Sequence, residues 1–417
     1  MKNKPSIGLV HYTYPPIIGG VEKIVFDHAQ LFAKYGYDTN IFAGEGKNDN
    51  KLINLVIVPE FRSLGITNPI LREEILTQDG YPPGYHQLKD VIYEKIETFF
   101  KSVDIFFIHN ILTFTFNPCL NAAFIDYINN HKEKKFVAWI HDVILDSMRK
   151  KKTFNNKSLA EMLYKPLDGV KYVGISNFLK KTLVEDIGFP SSLITIIPNG
   201  IDIPTLLNLH QQTLRIIPKY RMLDVDPLIF LPTKIMKHKN IDLCLKILFE
   251  LKQRGLNPML IITAKNFPHH KDISYLDYID DIINKLGLIK NVIFLHNEVE
   301  EKYRDIEYKI VDDFYRLSDI VFFLSSYENF GLPLLESGIT KTPILVSNLE
   351  VFKEIESENI FYADIENENS QKIAEKVVNI LKSNKQISFF RKVKRAYNFD
   401  SIFQTKIIPF INEIWKK

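Results

Sequence analysis

Short apolar runs alternate with longer amphipathic stretches from one end of this 417-residue chain to the other, and the rhythm breaks once. The first half carries SIGLVHYT from Ser6, TNIFAG from Thr39, INLVIVP from Ile53, DIFFIHN from Asp104, KFVAWIHD from Lys135, KYVGIS from Lys171 and LITIIPNG from Leu193. Several are apolar on both faces, which suits parallel strands covered by helices on each side. Between them lie helical patterns. The clearest places Val21, Ile24, Val25, His28, Leu31 and Phe32 on one face and stops at Gly36. Strand and helix in alternation predict an α/β fold with doubly wound parallel sheets.

The break falls at residues 202–227, where no strand pattern occurs, and we read it as the connection between domains. The rhythm restarts with PLIFLPT from Pro227, PMLIITA from Pro258, VIFLHNE from Val292, DIVFFLSS from Asp319, TPILVSN from Thr342 and NIFYAD from Asn359. A chain this long exceeds a single core, so two tandem Rossmann-like domains are expected. Their expected bounds are 1–210 and 225–395, with residues 396–417 forming an aromatic, amphipathic helix that crosses back onto the first domain.

Composition narrows the function. Hydrophobic residues make up 46% and charged residues 25%, as in soluble globular proteins. The 53 basic and 50 acidic side chains leave a formal charge of +3, without the concentrated basic face that nucleic acid requires. Cys119 and Cys244 have no metal-like or redox-like spacing and read as small buried side chains. No apolar run is long enough to span a membrane, and the N-terminus lacks a signal-peptide pattern, so a cytoplasmic protein is expected.

Ligands of doubly wound sheets bind beyond the carboxyl ends of the strands, and the unusual residues follow those ends. After the first strand comes Pro15-Pro16-Ile17-Ile18-Gly19-Gly20-Val21-Glu22. Two glycines before a helix let backbone N–H groups approach an anion, although a plain tight turn is the alternative. This is not a GxGxxG fingerprint. The one GxG, at Gly44-Glu45-Gly46, lacks the third glycine, which counts against a nicotinamide-dependent oxidoreductase. After the first strand of the second half, Lys234 and Lys239 flank a loop that enters a helix from Asn240. Two ammonium groups there suit a diphosphate leaving group, or else form a solvated basic turn.

The most specific stretch is Glu328-Asn329-Phe330-Gly331-Leu332-Pro333-Leu334-Leu335-Glu336, two glutamates with seven residues between them across a glycine loop and a helix start. Glu336 is suited to both hydroxyls of a ribose and Glu328 to a reacting sugar. A first-turn glutamate favoured by the helix dipole is the alternative.

ENFGLPLLE resembles the EX7E motif of the retaining family-four glycosyltransferases, which have the GT-B fold of two Rossmann-like domains facing a cleft. PPIIGGVE, the HD of WIHD, GISNF, IPNGID and PTKIMKHKN match the same family in the same order. The resemblance implies that Gly19 and Gly20 face the donor phosphates and that Lys234 and Lys239 bind the diphosphate. Lys234 stands where the family commonly has arginine, keeping the charge but losing the bidentate fork. Glu328 and His141 are implied at the donor sugar, and Glu336 at the ribose. The amides of Asn329, Phe330 and Gly331, with Leu332 beside them, are implied at the sugar or phosphate. Glu328, His141 and Lys239 form the implied catalytic set. HNILTFTFN from His109 and PTKIMKHKNID are similar to enzymes near mannosylglucosylglycerate synthase.

The expected reaction is transfer of a hexose from a nucleoside-diphosphate sugar, of the GDP-mannose or UDP-glucose type, to a hydroxyl acceptor that is a small glycoside, a glycan or lipid-linked. No two-carboxylate hydrolase set presents itself, so a front-side route assisted by the leaving diphosphate is expected. No cofactor or metal is expected, and Asp312-Asp313 reads as a solvated helix face. The acceptor is expected on the first domain, near the long loop at residues 61–86 or the basic run Arg149-Lys150-Lys151-Lys152, which also suits an acidic acceptor or an anionic membrane surface. Ala264-Lys265-Asn266 and His296 stand where glycine is common and leave the base preference open. A sugar-nucleotide epimerase, a phosphorylase and a non-catalytic two-lobed binding protein are the competing readings.

Overall fold

The computed structural model describes residues 4–143, 156–263, 273–299, 307–356 and 358–416. Its two units are residues Met1–Gly200 with Phe399–Lys417, and Ile201–Asn398.

The first unit is built on seven parallel strands: β1 (Ile7–His11), β2 (Thr39–Ala43), β3 (Ile53–Ile57), β4 (Ile105–His109), β5 (Lys135–Ile140), β6 (Val170–Gly174) and β7 (Ile194–Ile196). They lie in the order β3-β2-β1-β4-β5-β6-β7. Successive residues of a strand point to opposite faces, so each apolar run feeds two cores. Phe106 and Ile108 of β4 pack on one side with Phe100, Phe124 and Phe136, while Ile105 and Phe107 pack on the other with Phe32 and Trp139. Phe399, Phe403, Ile407 and Ile411 complete that second core, which is why the C-terminal segment belongs to this unit. Burying one such phenylalanine contributes roughly 2–3 kcal/mol.

The second unit holds six parallel strands: β8 (Leu228–Leu231), β9 (Met259–Ile262), β10 (Val292–Phe294), β11 (Ile320–Phe323), β12 (Ile344–Ser347) and β13 (Phe361–Ala363), in the order β10-β9-β8-β11-β12-β13. Ile229, Leu231, Ile320 and Phe322 face one core, and Leu228, Phe230, Val321 and Phe323 the other. Ile203 and Leu209 pack with Ile216 and Phe314 in the latter core, so the chain passes to the second unit at Ile201.

Four helices place the residues of interest: α1 (Gly20–Lys34), α2 (Ile241–Gln253), α3 (Tyr308–Leu317) and α4 (Leu332–Thr340). In each sheet the strand order reverses direction once, between β1 and β4 and between β8 and β11. Loops that leave such a switch point diverge and open a crevice at the carboxyl edge.

Two expectations change. Residues 61–86 are not a long loop: helices Leu64–Thr67 and Pro69–Thr77 occupy much of the stretch, capped by Ser63 and Asn68, whose side chains accept from Gly65 N and Leu71 N. Asp313 is not on a solvated face. It is buried, accepts from the His210 N–H at 2.7 Å and pairs with Arg316; Asp312 is exposed. Among the described residues no helix is long and apolar enough to cross a membrane.

Candidate functional site

In the second unit the two loops of the switch point are tied together. The loop after β8 turns through a 3-10 segment at Lys237–Lys239, and Asn240, in a left-handed conformation with φ 51°, starts α2. Its side-chain amide donates to the Leu324 carbonyl at 2.8 Å, and the Ser326 N–H donates to the His238 carbonyl at 2.8 Å. These bonds hold the β8 loop against the β11 loop. Lys239 there forms an ion pair with Glu328, each side chain 16% exposed, with its ammonium 5.5 Å from the centre of the Phe323 ring. Lys234 lies exposed in the same loop.

Beyond Glu328 the chain passes exposed Asn329 and Phe330 to Gly331, whose φ of +133° is unfavourable for an L side chain. A Cβ at Gly331 would also approach the Phe352 ring to 3.0 Å. Gly331 caps α4 without a side chain, Pro333 in its first turn has no N–H, and the Leu334 N–H donates to the Gly331 carbonyl at 2.9 Å, which leaves the Leu332 N–H as the helix-start donor for an anion. Leu332 and Glu336 are exposed on α4. Glu336 Oε2 accepts from the Tyr315 hydroxyl of α3 at 2.5 Å. Burial, reinforced by that carboxylate, raises the Tyr315 pKa, so the phenol stays a donor.

In the first unit the loop after β1 is organised by Glu22. Its Oε1 accepts from Thr13 Oγ1 at 2.7 Å and lies 3.6 Å from His11 Nε2. The His11 ring beside it, with a smaller contribution from the Thr13 hydrogen bond, holds the Glu22 carboxyl down at about 2 against the effect of burial. A Cβ at Gly19 would fall 1.9 Å from Glu22 Oε2, whereas one at Gly20 meets nothing within 4 Å. Gly19 therefore makes room for the carboxylate, and Gly20 is the glycine that leaves backbone open. His141 follows β5. Its N–H donates to Asn110 Oδ1 at 2.7 Å, its Nε2 meets His109 Nδ1 at 2.9 Å, and its Nδ1 lies 3.5 Å from the Asn199 amide. Burial, with His11 nearby, lowers its pKa to about 3 despite Glu22, so the ring is neutral.

The second unit thus brings Lys239, Glu328 and Gly331 together at the switch point, with Glu336 one turn further along α4. His141, Gly19 and Gly20 lie at the carboxyl edge of the first sheet. Residues 145–152 and Ala264-Lys265-Asn266 fall outside the described residues; His296 sits in the 3-10 turn Leu295–Glu298. Sequence reasoning missed His11, His109 and Tyr315. The two histidines carried a signal, since each is the last residue of an apolar strand run. Tyr315 carried none.

Residues 18–204 match the family described as Glycosyltransferase Family 4, and residues 215–396 the family described as Glycosyl transferases group 1. The chain belongs to the family-four, group 1 glycosyltransferases. It is an enzyme that transfers sugar from a nucleotide sugar, in a family that generally retains the anomeric configuration, and its two parallel-sheet units are those of a GT-B-like fold. The glycosyltransferase is distantly similar to the mannosylglucosylglycerate synthases of Petrotoga mobilis and Thermotoga maritima. Each is 21% identical to it, over 380 and 373 residues, covering 84% of this chain and 83% and 82% of theirs. A glycosyltransferase structure from Rickettsia africae aligns over 100% of both chains at 18% identity, with a TM-score of 0.37.

Proposed function

We propose that this glycosyltransferase moves a hexose, with retention, from a nucleoside-diphosphate sugar of the GDP-mannose or UDP-glucose type to a hydroxyl of a small glycoside, a glycan or a lipid-linked acceptor. The observation that carries the reading is the pairing of Lys239 with Glu328 across the switch point between β8 and β11. A cation and a carboxylate held there suit a leaving diphosphate and a sugar hydroxyl respectively.

In this reading the second unit binds the donor and the first the acceptor. Lys239 and Lys234 bind the diphosphate, and the amides of Asn329, Phe330, Gly331 and Leu332 at the start of α4 meet the sugar hydroxyls or the phosphate. Glu336 accepts from the ribose hydroxyls and Glu328 from the sugar. Gly19 and Gly20 lie at the phosphates, with Gly20 giving the open backbone, and His141 contacts the sugar. The bond from the anomeric carbon to the diphosphate breaks with its electron pair going to the diphosphate oxygen. The acceptor oxygen bonds to the same face of the sugar, and its proton passes to the departing diphosphate. No metal is required by this route.

Thermal shifts with UDP, GDP, ADP and TDP test the proposal, with Glu336→Ala as the control. A diphosphate at about 100 times its dissociation constant adds roughly 2.7 kcal/mol of stability. One diphosphate should stabilise the wild type and not the variant. A protein that ignores all four, or that yields an epimerised nucleotide sugar or a sugar phosphate in product analysis, is not the transferase described.

A further inference from the structure

Each of the three central strands of the first sheet delivers a histidine to the same edge: β1 ends in His11, β4 ends in His109, and β5 is followed by His141. Because β4 lies between β1 and β5, His109 is the middle one. Its carbonyl accepts from His11 Nδ1 at 3.0 Å, and its own Nδ1 meets His141 Nε2 at 2.9 Å. The two rings lie within 21° of parallel, and His109 also stacks near Trp139 at 5.9 Å and packs at a tilt against His28 at 5.4 Å. His109 is fully buried, so its ring is clamped from several sides.

The other nitrogen of His109, Nε2, is buried with no hydrogen-bond partner. Burying an imidazole nitrogen that way is unfavourable beside an apolar side chain of similar size. The polar ring therefore has its use at Nδ1, against His141. Asn110, the next residue along, holds the His141 backbone N–H through its side chain, so His141 is fixed at main chain and ring by consecutive residues.

We propose that His109 is a positioning residue, closing the Nε2 edge of His141 so that a ligand meets that ring only at Nδ1. The proposal rests on the reading that His141 contacts the donor sugar. The Nδ1 edge faces the Asn199 amide at 3.5 Å, a contact long enough for a ligand hydroxyl to replace. One proton lies between the two rings, and both are held neutral by burial. The ionisable groups about them are His11 from β1, Glu22 and His28 from α1, and Asp142, which is exposed and turned back to the Val143 N–H. His141 then serves as a neutral hydrogen-bonding group and not as an acid or base that titrates during turnover.

The test uses the full chain with ring-15N histidine, followed by NMR from about pH 5.5 to 8.5, beside steady-state sugar transfer. In the wild type His141 stays un-ionised in a single tautomer throughout. His109→Leu frees Nε2, so the His141 ring nitrogens shift and the single tautomer is lost, while burial keeps the ring un-ionised. The same variant lowers kcat by about 10- to 100-fold with little change in the KM of the donor. His109→Asn places an amide near the lost Nδ1 and restores much of both. A wild-type His141 that titrates near neutrality overturns the proposal, and so do ring signals unmoved by His109→Leu. If His109→Leu does not fold, the wild-type and Asn spectra decide. Altered ring signals with unaltered kcat overturn the positioning role. Absence of any transfer by the wild type fails the proposed function instead, since the spectra read the pair without substrate.

Discussion

The Tyr315 hydroxyl reaches across from α3 to donate to Glu336 Oε2 of α4 at 2.5 Å. Glu336 is exposed, so this bond is what aims its carboxylate. Tyr315→Phe keeps the edge-on packing against Phe230, at 5.0 Å between ring centres, and removes only the donor. The affinity for the preferred nucleoside diphosphate should fall about 5- to 10-fold, or roughly 1–1.5 kcal/mol, with the melting temperature little changed. Isothermal titration calorimetry measures it. Equal affinity would mean that Glu336 does not hold the ribose.

The Lys239–Glu328 pair gives a second prediction. Lys239→Met removes the cation paired with Glu328, and if it faces the leaving group the loss of one such donor costs about 100- to 1,000-fold in kcat. Lys239→Arg should recover part of that, and Lys234→Met, at an exposed position, should cost less. Steady-state kinetics with saturating donor separate the three. A Lys239→Met enzyme with wild-type kcat would remove this lysine from the chemistry.

Gly19 and Gly20 should respond oppositely. Gly19→Ala drives a Cβ into the Glu22 carboxylate, which must swing away from the Thr13 hydroxyl and the His11 ring, a loss of about 1–3 kcal/mol in stability. Gly20→Ala meets no atom, so the unliganded protein should melt at or slightly above the wild-type temperature. If the Gly20 backbone approaches the donor phosphates, the same variant raises the donor KM. Thermal melts and KM values together assign each glycine its role.

Acid sensitivity should begin early for a protein of this composition. His28 and His141 have folded pKa values of about 3, chiefly through burial, and His109 lies well below the ordinary range. A histidine whose folded pKa lies below its unfolded value of about 6.5 takes up a proton on unfolding. Stability is therefore full above about pH 6.5 and falls as the pH drops towards 3, by up to about 1.4 kcal/mol per pH unit for each ring. Glu22 acts later, losing its contribution between about pH 4.5 and 2. Neither ring nitrogen of His28 has a partner, and the ring packs against Trp139 and Phe399. His28→Leu should stabilise the protein at pH 7.5 by about 1–3 kcal/mol and remove about one proton from the slope between pH 6 and 4. Urea unfolding across that range tests both; an unchanged slope would show that His28 titrates normally in the fold.

The strands described here were legible as apolar runs, the central ones most plainly, because a parallel strand buried on both faces has no polar side to obscure it. The loops bearing Lys239 and Glu328 were legible for the same reason, as they follow strand ends. The helices at Leu64–Thr67 and Pro69–Thr77 were missed because they are short and weakly periodic, although Ser63 and the pair Asn68-Pro69 are start signals. Pairings were not legible. His109 meets His141 because β4 lies beside β5, and Tyr315 meets Glu336 because α3 lies beside α4. Strand order and helix packing are properties of the assembled sheet, which local spacing does not encode. Asp313 shows the converse: its helical position looked solvated, and the backbone of His210 buries it.

The last prediction concerns Lys394 and Asp319, whose side chains are both 0% exposed and meet at 2.7 Å. Asp319 also accepts from the Leu228 N–H at 2.7 Å and donates its own N–H to the Leu228 carbonyl at 2.8 Å, joining the starts of β8 and β11. Removing one member of a buried pair strands the other charge, so Lys394→Met should cost about 3–5 kcal/mol. Adding Asp319→Asn keeps an oxygen for the Leu228 N–H but cancels the stranded charge, so the double variant should recover most of the loss. The coupling, read from a four-member cycle of urea unfolding, should exceed about 1 kcal/mol. Single and double variants of equal stability would show that water reaches Asp319 once the lysine is gone, and that the pair does not act as a unit.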